Sequence, residues 1–288
     1  MSEIQLDEQK LGDVKGKVAV VTGGASGIGE AIVRLIHKKG GLVFFGDVNA
    51  AAGQSISNEL GGGATFVRVD VLNWKELRGL FSAAREAHGR VDFVFANAGI
   101  NQAEVFDEDI LDEDGELVDV SLPTVDVDLT AVIKTSRLAW HHFRRNNPPG
   151  GSLVITGSTS SYNARPNIRV YSAAKHGVLG LMRALAADGP KYNNSTSLIA
   201  PSATATGILD ATARAAYERL GIQVQSPDYV ALGALFLASN GQLTNGYGLN
   251  LMNFRALEVE GKLAELQPQW QGFVYELAAS ASNVSFKR

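Results

Sequence analysis

Short, wholly apolar runs recur along the chain, and between them apolar residues return every third or fourth position. The first kind reads as strands buried on both faces, the second as amphipathic helices. Val18–Val21 opens the series, and Ile28, Ile32, Leu35 and Ile36 mark the helix behind it. That helix closes on Lys38-Lys39-Gly40-Gly41, cations followed by glycine. Leu42–Phe45, Thr65–Val69, Val91–Phe95, Ser152–Thr156, Ser197–Ala200 and Gly246–Leu251 continue the strands. Leu72–His88, Leu129–Arg145, Tyr171–Ala187, Leu209–Leu220 and Tyr229–Leu237 supply further helices. Leu77, Leu80, Phe81 and Ala84 form the buried stripe of the first of these. The alternation predicts one α/β domain over residues 1–288, a doubly wound parallel sheet of about seven strands with helices on both faces.

Ligands in such sheets sit beyond the carboxyl ends of the strands, and the polar punctuation of this chain falls at those ends. After Val21 comes Thr22-Gly23-Gly24-Ala25-Ser26-Gly27-Ile28-Gly29, which leads directly into a helix. A glycine turn before a helix aims backbone N–H groups and the positive end of the helix dipole at one spot, which suits a phosphate. Glycine is required there wherever φ is positive or the backbone meets the ligand closely. A plain glycine turn is the alternative, and the flanking strand and helix weigh against it. Asp47 ends the second strand, where a carboxylate accepts from the ribose hydroxyls of an adenosine and repels a 2′-phosphate. No Arg or Lys stands in the glycine loop or between Asp47 and Asn58 to offset that repulsion, so NAD is expected over NADP. Asp70-Val71, Asn97-Ala98-Gly99, Gly157-Ser158 and Pro201 end four other strands.

Tyr171 and Lys175 stand four residues apart at the start of a long helix and share one face. An ammonium beside a phenol favours the phenolate, so the pair suits a general base near neutral pH. Alone, such a spacing is commonly just a surface pair.

Charge and composition narrow the function. The chain has 26 Lys and Arg against 30 Asp and Glu, with no basic block, which argues against nucleic acid. It has no cysteine, hence no disulfide framework and no Cys-ligated metal, and no metal site is expected. Met1–Gly16 is polar and carries acids, unlike a signal peptide, and no apolar run approaches the roughly 20 residues that span a bilayer. A cytoplasmic protein without membrane contact is expected. Asn101–Asp128 holds eleven acids and no Lys or Arg. It is read as a loop over the mouth of the site whose field repels anions, with a solvated loop of no role as the alternative. Residues 207–225 are read as a lid, lined by Ile208, Leu209, Ala211, Ala215, Ala216, Tyr217 and Leu220. In an extension over residues 253–288, Trp270, Phe273, Tyr275 and Leu277 form a stripe suited to packing or a subunit contact.

The glycine loop, Asp47, Asp70, Asn97-Ala98-Gly99, Ser158, Tyr171-x-x-x-Lys175 and Pro201 with Thr206, in this order, resemble the short-chain dehydrogenase/reductase superfamily over roughly Gly16–Leu251. The resemblance implies a Rossmann-like fold and, with Asp47, an NAD-preferring member. It implies that Gly23, Gly27, Ile28 and Gly29 cradle the pyrophosphate and that Asp47 holds the adenosine ribose. Asp70 and Val71 would meet the adenine, and Asn97 and Gly99 would lie along the cofactor. Thr204 and Thr206 would touch the carboxamide, and Ser26, Val48, Ala98 and Pro201 belong to the same cofactor-binding set. Ser158 would bond the substrate oxygen, Tyr171 would exchange its proton, and Lys175 would bind the nicotinamide ribose. Homodimers or homotetramers through the Leu129–Arg145 and Tyr171–Ala187 helices are implied as well. The chain departs from its relatives in three places: Asp128 stands where an Asn usually helps hold a relay water, Ser202 replaces a glycine, and the acidic segment is long. The reading that follows is hydride transfer between NAD and a neutral, largely apolar secondary alcohol or ketone, such as a terpenoid, steroid-like or polyketide-like compound. An NAD-dependent epimerase or lyase and a non-catalytic nucleotide-binding regulator are the alternatives.

Overall fold

The computed structural model describes residues 2–101, 108–166, 168–209 and 211–271. Its strands are β1 (Ser2–Ile4), β2 (Val18–Thr22), β3 (Leu42–Asp47), β4 (Ala64–Arg68), β5 (Phe93–Ala96), β6 (Gly151–Thr156), β7 (Asn194–Pro201), β8 (Gly248–Met252) and β9 (Arg255–Glu258). Its helices are α1 (Gly27–Lys38), α2 (Ala50–Leu60), α3 (Trp74–His88), α4 (Pro123–Val125), α5 (Ala131–Phe143), α6 (Arg169–Asp188), α7 (Ala211–Arg219), α8 (Pro227–Ser239) and α9 (Glu260–Gln271). Successive strand residues point to opposite faces, which builds two cores. Ala19, Val21 and Phe45 meet Ile32 and Ile36 of α1 and Leu235 of α8 on one face. Val18, Val20 and Phe44 meet Leu77 and Phe81 of α3 and Val178 and Met182 of α6 on the other.

The sheet runs β1-β9-β8-β7-β6-β5-β2-β3-β4, and every pair from β4 to β8 is parallel. The chain moves outward from β2 through β3 to β4, then restarts at β5 and moves the opposite way to β8. Loops leaving β2 and β5 therefore part to opposite faces, which opens a crevice at their carboxyl ends.

Nine strands rather than about seven make up the sheet among the described residues, and it is not parallel throughout. β9 pairs antiparallel with β8, and β1 pairs antiparallel with β9. Both fall in stretches whose pattern gave no strand, the polar leader and the segment after Asn253. Three or four residues are too few to display alternation. The chain turns from β8 into β9 through Asn253 and Phe254, both left-handed at φ 53° and 55°, so no glycine announces the turn. Trp270 lies within α9, whereas Phe273, Tyr275 and Leu277 lie outside the described residues. The helix expected from Leu129 starts earlier. Pro123, with its φ already helical, opens α4, and one π-helical turn over Asp126–Thr130 joins it to α5. No described helix is long and apolar enough to cross a membrane.

His142 of α5 stacks on Phe81 of α3 with ring centroids 5.3 Å apart. Burial, then the positive neighbours His141, Arg85 and Arg145, pulls its pKa from 6.5 down to about 4. The folded chain thus holds a neutral imidazole where the unfolded chain binds a proton, so stability falls as pH drops from 6.5 to about 4. Denaturant midpoints measured across that window should decline less steeply in His142→Phe than in the wild type. Parallel slopes would remove His142 from the acid sensitivity.

Candidate active site

The crevice is built on three strand ends tied to one another. Thr22, last in β2, accepts through Oγ1 from the amides of Asn97 (3.1 Å) and Ala98 (3.2 Å). Asn97 Nδ2 donates to the carbonyls of Thr22 (3.1 Å) and Gly23 (3.2 Å), and its Oδ1 accepts from Thr156 Oγ1 of β6 (3.2 Å). The chain then turns at Gly23 with φ +67° and folds back beneath its own helix, so that a Cβ on Gly29 would strike the Gly23 carbonyl. The first intrahelical bond of α1 runs from Glu30 N to Ser26 O, and the Ser26 side chain caps nothing. The opening amides of α1 are therefore free donors at the crevice. Asp47 accepts from Ala25 N on Oδ2 (3.1 Å) and from Asn49 N on Oδ1 (3.0 Å), which leaves a further lone pair on each oxygen.

Gly23, Ser26, Gly27, Ile28, Asp47, Asn97 and Thr156 line a cavity of about 540 Å³ that begins at Asp47 and Val48, passes Asp70, Val71 and Gly99, and ends under Ile208, Leu209 and Tyr217. The volume suits a small-molecule site. Every residue expected to bind the cofactor or take part in catalysis lines this one cavity, except Gly29, which is buried beneath the loop. Among the described residues no cluster of His, Asp and Glu could hold a metal ion.

Tyr171 and Lys175 stand one turn apart on α6, with Lys175 Nζ 5.4 Å from the centre of the tyrosine ring. The lysine donates to the carbonyl of Thr156 (3.1 Å) and lies 3.0 Å from Asp128 Oδ2. Lys175 is 3% and Asp128 1% exposed. At the position where an Asn usually helps hold a relay water, Asp128 accepts through Oδ1 from Ile100 N (2.8 Å), and its Oδ2 faces the ammonium. That approach pairs the charges without aligning a hydrogen bond. Burial is the largest influence on Lys175 and lowers its pKa; the Asp128 carboxylate and Tyr171 act against burial, and the net shift is upward. Ser158 caps the turn Thr159–Ser161, accepting from Ser160 N through Oγ (3.1 Å). Among the described residues its own hydroxyl proton has no acceptor, so it faces the cavity as a donor.

Several expectations change. Of Asn101–Asp128, the described residues that line the cavity are Asn101, Val127 and Asp128. Residues 108–122 are exposed and held by local turns such as the Asp112 carboxylate with the amides of Asp114 and Glu116, so their acids face solvent. Glu104 and Asp107 lie outside the described residues. In the lid, Ile208, Leu209 and Tyr217 line the cavity, whereas Ala211, Ala215, Ala216 and Leu220 do not. The side chain of Asn97 is committed to the strand ends, and the hydroxyl of Thr204 to the carbonyl of Ser202 (2.9 Å), so neither presents a free donor. Thr22 and Thr156 were overlooked; the signal was a hydroxyl at the carboxyl end of an apolar strand. Arg165 was overlooked as well. It donates to Tyr217 Oη (2.6 Å) and Thr159 Oγ1 (3.3 Å), tying α7 to the loop after β6. No local pattern marks a partner 52 residues away.

The profile of the short chain dehydrogenase family matches residues 17–216. The chain is 33% identical to the short-chain dehydrogenase/reductase prx4 of Penicillium rubens, over 95% of this chain and 85% of that one. It is 32% identical to (+)-borneol dehydrogenase 1 of Salvia officinalis, over 83% of this chain and 92% of that one. The crystal structure of 3-ketoacyl-(acyl-carrier-protein) reductase from Brucella melitensis complexed with NADH superimposes with a TM-score of 0.74 at 26% identity. That match covers 83% of this chain and 98% of the other.

The strand-end ties yield a direct test. Thr22→Val keeps the shape and leaves two amides without their acceptor, which should cost about 2 kcal/mol or more and slacken the glycine loop. Urea unfolding reads the first effect and dinucleotide affinity the second. A variant as stable as the wild type would show that these bonds hold nothing together.

Proposed function

The chain belongs to the short-chain dehydrogenase/reductase family, oxidoreductases that bind a nicotinamide cofactor, and from that premise we propose that it transfers a hydride between NAD and a secondary alcohol or the matching ketone. The observation that carries the reading is the placement of Ser158, Tyr171 and Lys175 on the wall of the same cavity that holds the glycine loop and Asp47 at its other end. The donor set fits a dinucleotide. The uncapped amides at the start of α1 suit a pyrophosphate, and the spare lone pairs of Asp47 suit two ribose hydroxyls. When bound, the nicotinamide supplies the hydride acceptor or donor. The chain's own residues handle the proton and the orientation. Ser158 donates to the substrate oxygen, Tyr171 takes the hydroxyl proton in oxidation and returns it in reduction, and Lys175 keeps a positive charge beside that exchange.

The far end of the cavity is apolar, with Ile100, Ile168, Ile208, Leu209 and Tyr217 around it. This supports a neutral, largely apolar substrate, a compact ring alcohol of terpenoid type among them, in keeping with the name of the sage relative. The support comes from this lining and not from the acidic segment.

Two measurements test the reading. Tyr171→Phe should lower turnover by roughly 100-fold or more while NAD still binds; turnover near that of the wild type would remove Tyr171 from the reaction. NAD should bind about tenfold or more tighter than NADP because Asp47 faces the 2′-position without a cation, and Asp47→Ala should narrow the gap. Fluorescence titration of both cofactors decides this, and equal affinities in the wild type would overturn the cofactor assignment.

A further inference from the structure

We infer that Asp128 is the fixed counter-ion of Lys175, a positioning residue that acts through the lysine and sets the pH at which the Tyr171–Lys175 couple gives up its first proton. The inference rests on the reading of Tyr171 as the proton-exchanging group. Asp128 is held where it stands. Its Oδ1 accepts from Ile100 N at 2.8 Å. It projects from the π-helical turn Asp126–Thr130, and it packs so closely on Gly99 that a Cβ there would lie 3.2 Å from Oδ2. Although it borders the cavity, this carboxylate is only 1% exposed. An ammonium enclosed at 3.0 Å from it therefore faces a carboxylate, where an Asn would offer only a dipole.

The groups around Lys175 are few. Asp128 faces it from the turn before α5, and Tyr171 from α6 itself, and these two are the titratable groups that bear on it among the described residues. β6 contributes the Thr156 carbonyl, a dipole without a charge. Tyr171 and Lys175 are close enough to titrate as a couple, so the first proton lost belongs to the pair and not to either member. A carboxylate 3.0 Å from Lys175 Nζ, which itself lies 5.4 Å from the tyrosine ring, favours the protonated form of the couple. The sign is then independent of which group lets go: removing the carboxylate must bring the first deprotonation to lower pH.

Asp128→Asn keeps the shape and the acceptor for Ile100 N and removes only the charge. The acidic limb of the pH profile of kcat/KM for alcohol oxidation should move down by about one unit or more. A second readout needs no cofactor and no turnover. With its counter-ion gone, Lys175 is a buried uncompensated ammonium, and the melting temperature near neutral pH should fall on the order of 10 °C. In the variant the folded couple sheds its proton below the pH at which the unfolded chain does, so stability recovers with rising pH. The melting gap to the wild type should narrow toward pH ~10, the range in which free Tyr and Lys titrate. Asp128→Asn combined with Lys175→Met should restore much of the loss, which keeps the test open if the single variant folds poorly. A limb that stays in place or moves up, or a melting gap constant with pH, would reduce Asp128 to a hydrogen-bond acceptor for Ile100 and overturn the inference. If wild-type protein oxidises no alcohol, the functional reading fails, and the melting series alone decides the counter-ion.

Discussion

The site depends on one constraint: the carboxyl ends of β2, β5 and β6 must satisfy one another's polar groups without closing the crevice between them. Sheet hydrogen bonding stops at Thr22 and Ala96, and the amides and carbonyls beyond need partners. Thr22 and Asn97 exchange those bonds across the switch point, and Thr156 extends them to the third strand. This corner holds the start of the glycine loop through the Asn97 bond to the Gly23 carbonyl. Lys175 then finds the Thr156 carbonyl already fixed in place. The glycine loop and Lys175 are thus positioned by the same handful of bonds.

The inner sheet was legible because burial on both faces writes itself as uninterrupted apolar runs, such as Val18–Val21 and Leu42–Phe45. The site residues were legible for a related reason. Each sits where such a run breaks, and polar groups at the carboxyl ends of parallel strands have few other uses. Strands β1 and β9 were not legible, since each is only three or four residues long and mixes exposed with partly or fully buried positions. The start of α4 was hidden by its acidic neighbours, which mimic a loop until Pro123 is seen to open a helical turn. The acidic segment misled in the opposite sense. Its charge is plain in the sequence, but the direction in which residues 108–122 face is a tertiary property.

Three buried acids show how differently one residue class is used. Asp92 accepts from Val18 N and is gripped by Arg90 through both carboxylate oxygens. Glu258 accepts from the amides of Glu260 and Gly261 and so fastens the start of α9. Both are well satisfied and both hold an element end. Asp128 has one amide and one ammonium that is not aligned for a hydrogen bond. A buried ion pair is weak evidence for stability, because desolvating two charges can cost more than their pairing returns, and apolar replacements of such pairs are often neutral or better. A pair of this kind, with Lys175 Nζ 5.4 Å from the centre of the Tyr171 ring, is better understood through the charge it brings to the cavity.

The two ends of the cavity divide along the sheet's own switch point. On the β2–β4 side the wall is backbone donors and carboxylates such as Asp47 and Asp70, each already tied to a nearby amide. On the side of β6, β7 and α7 it is Ile168, Ile208, Leu209 and the ring of Tyr217. A ligand spanning the cavity therefore exchanges water for matched polar partners at one end and for apolar surface at the other. The apolar end has the weaker framework, for α7 has exposed alanines and few core contacts. Arg165 compensates by bonding Tyr217 and Thr159 at once. The apolar wall is thus hung from the same β6 loop that carries Ser158, so the positions of α7 and of Ser158 are not independent.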